Sequence, residues 1–161
     1  MIDGDENKVI PYEIAKLAKE AGFDEGVRGS YIDHHDGAEN NRGESIAGTV
    51  GLNLYDYIIN CKIDYSNEYY TYYAAPTREI LNNWLIEKHQ IFVDVVTDRT
   101  TAPKFATDVN RFVGNPKDLS EREWYWETIE HERFLFRNRL EAWDNGLYSA
   151  LTSLIPEEKE V

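Results

Sequence analysis

The feature that most constrains the fold is the stretch of residues 74–96, AAPTREILNNWLIEKHQIFVDVV, in which an amphipathic helix runs directly into a strand. Pro76 supplies the fixed φ of a first helical position. The apolar residues at helical spacing are Ile80, Leu81, Trp84 and Leu85. His89 lies in the last turn, where positive charge suits the helix dipole. Residues 91–96 are mostly apolar and β-branched and predict a strand, so the fold must accommodate a helix and a strand joined by a tight connection.

Two further helices are predicted near the ends of the chain. Apolar residues at helical spacing predict a short helix over residues 12–21, which Gly22 ends. A second apolar stripe predicts a closing helix over residues 139–155. Residues 1–8 are polar and are expected to be loose, and residues 156–161 are expected to form a solvated tail.

Alternating aromatic residues predict the remaining strands. Residues 69–73, YYTYY, predict a short strand, and residues 124–131 predict another that pairs antiparallel with residues 91–96. The glycine-rich residues 24–48 are expected to form a long loop or a pair of short, irregular strands.

Two segments are less clearly patterned. Residues 50–59 are compatible with a helix and residues 58–65 with a strand, so both interpretations stay open. Residues 98–123 are expected to form a polar insertion that contains a single turn of structure at residues 105–112.

These elements predict an α+β fold, in which a small antiparallel sheet has two or three helices packed on one face. A chain of 161 residues fits one domain, and a domain of this length buries roughly 70% of its unfolded surface. Residues 1–161 are therefore expected to form a single domain.

The charge of the chain limits its partners. It carries 30 acidic and 17 basic residues and a net charge of -13. Direct nucleic-acid binding is not expected, because contact with phosphates needs a positive surface. An acidic surface fits solubility, a basic protein partner, cation binding or mimicry of DNA charge.

The compartment is inferred from cysteine use and from hydropathy. Cys61 is the only cysteine, which excludes an intrachain disulfide and favours a reducing compartment. No cationic and then apolar leader begins the sequence, and no run reaches about 18 apolar residues. A cytoplasmic protein without membrane contact is therefore expected, and Cys61 is expected to be a buried apolar filler.

Three blocks of sequence carry a family resemblance. They are residues 10–23 (IPYEIAKLAKEAGF), residues 73–89 (YAAPT, WL and EKH) and residues 140–155 (LEA, GL, AL and LI). In this order they resemble the patterns IPxEIAKLxKExGF, YAPTxxxLxxWLREKH and YEEALExGLxEALxLI of small proteins encoded by phages and mobile elements of gut Bacteroidales. The resemblance implies an accessory protein of the host cytosol or a virion component, and it implies no activity and no catalytic residues. The loop after the first block and the insertion at residues 98–123 are longer than the family pattern.

Residues 33–36 are the strongest candidate for chemistry. They are Asp33, His34, His35 and Asp36, similar to the Asp-His-His motif of a metal-dependent phosphoesterase superfamily. Those enzymes need further aspartate motifs on a parallel sheet, and this chain has no such set. An exposed polar turn is the favoured interpretation, with these residues as weak metal candidates only, and no cofactor is expected.

The aromatic strands are the second candidate. The residues proposed to bind are Tyr70, Tyr72, Trp124 and Trp126. Alternation directs about half of such rings into a core, and rings that stay exposed supply hot spots at protein interfaces. A protein partner is favoured over nucleic acid because a cationic groove is missing.

The sequence therefore favours a non-enzymatic protein-binding module. The acidic loop at residues 33–44 is expected to form a rim of its binding surface. The alternatives are an acidic inhibitor that sequesters a component of host defence, a virion-associated structural component and, last, a metal-dependent hydrolase.

Overall fold

The computed structural model describes residues 8–98, 104–114, 125–129 and 135–156. The chain divides into two compact units, residues 1–80 and residues 81–161. In chain order the elements are α1 (Tyr12–Glu20), β1 (Val27–His34), β2 (Val50–Ile59), β3 (Tyr70–Ala74), α2 (Arg78–His89), β4 (Ile91–Asp98), β5 (Lys104–Val113), β6 (Tyr125–Thr128) and α3 (Arg139–Thr152). The predicted loose N-terminus and solvated tail fall on residues 1–7 and 157–161, which lie outside the described residues, apart from Lys8 and Pro156.

The first unit is built on an antiparallel sheet in the order β2-β1-β3. Tyr31 of β1 lies opposite Leu52 of β2 and opposite Tyr73 of β3. The ring of Tyr12 in α1 contacts the rings of Tyr31 and Tyr73, with both centroid distances at 5.6 Å. Because directly opposite residues point to the same side of a sheet, α1 packs on the face that carries Tyr31 and Tyr73.

The central strand of this sheet lies in the glycine-rich segment. β1 is a strand of eight residues, longer than the short strands expected for residues 24–48, and its register with β2 shifts between Val27 and Gly29. Gly29 permits its close pairing, because a Cβ atom there would lie 3.0 Å from Leu54 Cδ2 and 3.1 Å from the carbonyl oxygen of Ala75. Residues 50–59, for which a helix was one interpretation, form the strand β2.

The second unit contains another antiparallel sheet, in the order β4-β5-β6. Its central strand β5 occupies residues 104–113, so the prediction of a single turn of structure at residues 105–112 is wrong. The predicted insertion also covers residues 99–103 and 115–123, which lie outside the described residues. β6 pairs with β5, and the predicted pairing of residues 124–131 with β4 is therefore also wrong. Ala106 and Val109 are buried, because β5 packs against α3.

The helix α2 begins at Arg78, two positions later than the first helical position that Pro76 suggests. Thr77 precedes the helix and its hydroxyl accepts a hydrogen bond from the Ile80 N–H at 3.3 Å, as an N-cap residue does. Gln90 joins α2 to β4 with φ at 57°, the left-handed conformation that ends helices. The pKa of His89 is lowered by burial, then by Arg111 and Lys88, so the expected positive charge at this helix end is disfavoured.

The α+β class is confirmed. The described strands form two small sheets in place of the one that was predicted, because β5 provides a second centre for strand pairing. The prediction of a single domain depends on how the two units are joined and stays a prediction.

Candidate functional site

The first sheet carries tyrosines on the face opposite α1. Tyr70 and Tyr72 point to the same side as His34 and Ile32, their partners on β1. On β2, Asn53 shares this side with Ser30. The register shifts beyond Leu54, but the Tyr55 hydroxyl lies 3.4 Å from the Ser30 hydroxyl, and the Tyr57 ring contacts that of Tyr55, which places both on this side. We call Tyr55, Tyr57, Tyr70 and Tyr72 the tyrosine face.

The rings of the tyrosine face contact each other in two pairs, one on β2 and one on β3. The centroids of Tyr70 and Tyr72 are 5.4 Å apart and those of Tyr55 and Tyr57 are 5.5 Å apart. Tyr57 is 65% exposed, whereas the other three rings are half-buried. Burial raises the pKa of Tyr72, followed by the effect of Tyr55 and Tyr70, so this phenol stays neutral. The face therefore presents aromatic surface that carries hydroxyl groups.

A groove of about 320 Å³ joins the tyrosine face to the acidic loop. It is lined by His34, Glu39, Tyr69 and Tyr70, among others. The loop is ordered by Asn40, whose side-chain oxygen accepts hydrogen bonds from the backbone N–H groups of residues 42 and 44 at 2.9 and 3.1 Å. A carboxylate thus lies beside exposed aromatic surface at this end of the sheet.

A smaller cavity of about 80 Å³ lies at the other end of the same unit. Ser30, Ile59, Cys61, Tyr65 and Tyr72 are among its lining residues. It is large enough for a few water molecules or one apolar side chain. Cys61 is half-buried and borders this cavity, so it is less enclosed than the expected apolar filler.

The Cys61 thiol is expected to react slowly in the folded protein. Burial raises its pKa to about 11, from an ordinary value of 9.0. At pH 8 this shift reduces the thiolate fraction about 100-fold relative to the unfolded chain. The rate of reaction with an aromatic disulfide, compared in buffer and in guanidinium chloride, measures this difference.

The same shift predicts how stability varies with pH. The folded chain keeps a proton that the unfolded chain loses between about pH 9 and 11, so the contribution of Cys61 to stability is present below pH 9 and is lost as pH rises.

Because Cys61 is the only cysteine, the rate of reaction with the aromatic disulfide reports on this thiol alone. Equal native and unfolded rates at pH 8 would contradict a buried thiol.

The Asp33–Asp36 tetrapeptide does not direct its four side chains to one point. Asp33 points to the α1 face, where it accepts a hydrogen bond from the Tyr12 hydroxyl at 2.6 Å. His34 follows on the opposite face and contacts Thr49, while His35 contacts the Thr71 hydroxyl at 2.7 Å. Among the described residues, no group of three or more His, Cys, Asp or Glu side chains is arranged to hold a metal ion. Asp33 and His34 are the last two residues of β1, so the expected exposed turn is wrong for them, and the turn begins only after His35.

Trp126 belongs to a separate aromatic cluster in the second unit. Its ring is 50% exposed and lies 5.0 Å from the centroid of Phe92 and 5.4 Å from that of Phe112. Asp94 and Asp108 lie opposite each other on the same face of the sheet. Of the four residues proposed from sequence to bind, Tyr70 and Tyr72 therefore belong to the first unit and Trp126 belongs to the second. The fourth, Trp124, lies outside the described residues.

Sequence reasoning missed Tyr55 and Tyr57. They alternate with polar residues in the sequence, but this alternation does not decide between a strand and the helix with which residues 50–59 are also compatible. Their place beside Tyr72 depends on the pairing of β2 with β1 and of β1 with β3, which links segments distant in sequence.

No protein-family model, curated protein or solved structure matches this chain. The resemblance to small phage and mobile-element proteins therefore stays a prediction. Within the described ranges, no helix is long and apolar enough to span a membrane.

Proposed function

We propose that this chain is a non-enzymatic accessory protein of phage or mobile-element origin that binds a basic protein partner. The observation that carries the proposal is the tyrosine face, a set of contacting, partly exposed rings on the side of the first sheet that does not bind α1. Tyrosine supplies large, amphipathic contact area at low conformational cost, which makes it frequent at binding surfaces.

The charge of the chain indicates the kind of partner. A net charge of -13 attracts a basic surface and repels an acidic one. Glu39 in the groove beside Tyr69 and Tyr70 places a carboxylate next to the rings. A partner with exposed Lys or Arg beside apolar residues therefore fits this surface. Its location is proposed to be the cytosol of the bacterial host.

The partner is expected to be captured through the tyrosine face. Tagged protein is incubated with nuclease-treated lysates of uninfected and phage-infected Bacteroidales, and bound proteins are identified by mass spectrometry. A Tyr70→Ala/Tyr72→Ala variant is expected to weaken partner binding about 100-fold, because exposed tyrosines at interface centres are frequent hot spots. Titration with the purified partner measures the dissociation constant.

Two variants separate binding from folding. Tyr148→Ala removes an equally large exposed ring from α3 and is expected to leave binding unchanged. Tyr57→Ala removes the most exposed ring of the tyrosine face, so it tests the surface with little effect on the fold. Loss of binding in Tyr148→Ala, or full binding in both tyrosine-face variants, would overturn the proposed surface.

A further inference from the structure

The outer edge of β2 directs backbone groups away from its own sheet. The His34 N–H donates to the Thr49 carbonyl oxygen at 3.0 Å, in the register that places Ile32 opposite Gly51. Hydrogen-bonded and non-hydrogen-bonded pairs alternate along an antiparallel ladder. Gly51 therefore directs its N–H and C=O towards β1, and Leu52 directs its own groups outwards.

Leu54 repeats the orientation of Leu52. In the described part of the chain, no hydrogen bond is formed to the outward backbone groups of either residue. Native edge strands are commonly short or protected by charged side chains. β2 has ten residues, VGLNLYDYII, with Asp56 as its only charged residue, and its first five residues, Val50–Leu54, pair with β1 in one register before the register shifts.

The opposite edge of the same sheet is closed. Tyr70 of β3 donates its N–H to the side chain of Asn67 at 3.1 Å and accepts a hydrogen bond from the Asn67 N–H at 2.9 Å. The Tyr72 N–H donates to the Ser66 hydroxyl at 3.0 Å, and the Tyr72 carbonyl accepts from Lys19 Nζ at 3.0 Å. Side chains thus bind the outward backbone groups of Tyr70 and Tyr72 in β3, whereas those of Leu52 and Leu54 in β2 have no partner among the described residues.

The side chains along the open edge are apolar and accessible. Val50 is 44% exposed and Leu54 is 42% exposed, on the face that α1 covers only in part. Tyr55 and Tyr57 lie on the other face, as part of the tyrosine face. A strand added at this edge would meet apolar surface on both faces of the sheet. Its side chains, which point alternately to the two faces, would contact these surfaces and give the interaction its specificity.

Charge selects the occupant. Residues 24–68, which contain β1, β2 and their connecting loops, include nine acidic and three basic residues. A second copy of the chain at this edge would bring two such acidic segments together. A segment with Lys or Arg on either side of apolar residues would instead be attracted.

We propose that β2 binds an extended segment of the partner by strand addition, and that this segment alternates apolar residues between flanking Lys or Arg. The backbone groups of Leu52 and Leu54 pair with the added strand, and the neighbouring side chains select its sequence. This inference rests on the proposed function and specifies its mode of binding.

The test uses the full chain and a displayed library of random peptides about ten residues long, near the upper length of common strands. Selection is expected to enrich alternating apolar sequences flanked by Lys or Arg. Leu52→Pro removes an outward N–H and leaves the bonds of the β1–β2 ladder in place. Gly51 precedes this position and has no Cβ for the proline ring to meet. The variant is expected to weaken binding of the selected peptide about tenfold or more.

Leu52→Ala is the matched control. It shortens the side chain and keeps the N–H, so it is expected to bind the peptide at least several times more tightly than Leu52→Pro. Amide exchange supplies a second measurement, because the N–H groups of Leu52 and Leu54 are expected to exchange rapidly in the free protein and slowly with peptide bound. Equal binding by the two variants, or protection confined to other strands, would overturn strand addition.

The remaining outcomes separate this proposal from the proposed function. Recovery of no peptide, together with a captured partner that requires Tyr70 and Tyr72, would overturn strand addition and leave the tyrosine face standing. A peptide that Leu52→Pro no longer binds and that Tyr70→Ala/Tyr72→Ala still binds would support strand addition at β2 and overturn the tyrosine face as the binding surface. A dimer in solution that Leu52→Pro dissociates would assign the edge to a second copy and overturn the basic partner.

Discussion

Replacement of Gly146 by valine is expected to destabilise the protein by about 3 kcal/mol or more, through forced separation of α3 from its sheet. A Cβ atom at Gly146 would overlap Val93 Cγ1 and Thr107 Cγ2. Thr107 is itself held against the helix, because its hydroxyl donates to the Ala142 carbonyl oxygen. All of these groups are buried, so neither the strand nor the helix has space into which to move.

The variant Gly146→Ala tests the same close contact between α3 and its sheet, through the sign of the change in the free energy of unfolding. In a helix interior, alanine is about 1 kcal/mol more favourable than glycine. Gly146→Ala is nevertheless expected to lower the free energy of unfolding by about 1 to 2 kcal/mol, because the overlap outweighs the helix propensity. Denaturant titration followed by circular dichroism measures both variants.

Gly51→Ala is the matched control, because no atom lies within 4 Å of the position of its added Cβ. Its free energy of unfolding is expected to be unchanged or to rise by up to about 1 kcal/mol, since glycine weakens strands. A Gly146→Ala variant as stable as Gly51→Ala would contradict the close approach of α3 to the sheet.

Replacement of Tyr12 by alanine is expected to destabilise the first unit by about 2 to 3 kcal/mol. The ring of Tyr12 contacts Tyr31 and Tyr73, and Lys16 Nζ lies 5.4 Å from its centroid. Its hydroxyl donates to Asp33, and this carboxylate loses that donor in the variant. The expected cost is smaller than for a fully buried ring because Tyr12 is half-buried. Thermal and denaturant unfolding measure the effect.

Tyr12→Phe isolates the hydroxyl and is expected to cost about 1 kcal/mol at pH 7, since it keeps the ring contacts. The pKa of Tyr12 is raised by burial, then by its hydrogen bond to Asp33. The folded state therefore holds this proton more tightly, and the contribution is lost as pH rises above the ordinary tyrosine value of about 10. The difference between wild type and Tyr12→Phe should narrow above that pH. A constant difference would contradict the assigned hydrogen bond.

Local patterns predicted the helices well. The periodicity of residues 12–21, with Gly22 at φ 87° after the helix, corresponds to α1 at Tyr12–Glu20. The apolar stripe of α3 buries Leu147 and Leu151 completely, as helical spacing implies. These elements could be read from sequence because a helix forms its hydrogen bonds between residues only four positions apart.

Strand order was harder to predict. Five of the ten residues of β5 are charged or polar, including Asp108 and Arg111, and they do not alternate with apolar residues, so the segment resembles a loop. It is nevertheless the central strand of its sheet, because β4 and β6 pair with its two edges. A strand pairs with segments that are remote in sequence, and no local pattern specifies which ones.

The candidate site shows the same division. Tyr70 and Tyr72 were proposed from alternation alone, and they lie on one face as period two requires. The same rule opposes the metal hypothesis for Asp33 and His34. Adjacent residues of a strand point to opposite faces of the sheet, so these two side chains lie on different sides. Once residues 33–34 were known to be in a strand, their separation followed.

The sequence by itself determined the α+β class, the three helices, the acidic charge and the aromatic strands, because composition and short-range periodicity encode them. Only the tertiary structure decided that Tyr55 and Tyr57 share a face with Tyr70 and Tyr72, and that β2 and β3 are the two edge strands of their sheet among the described strands. The physical reason is that sheet faces and edges are set by hydrogen bonds between distant segments. Their free energy depends on which strands meet, and a single segment does not contain that information.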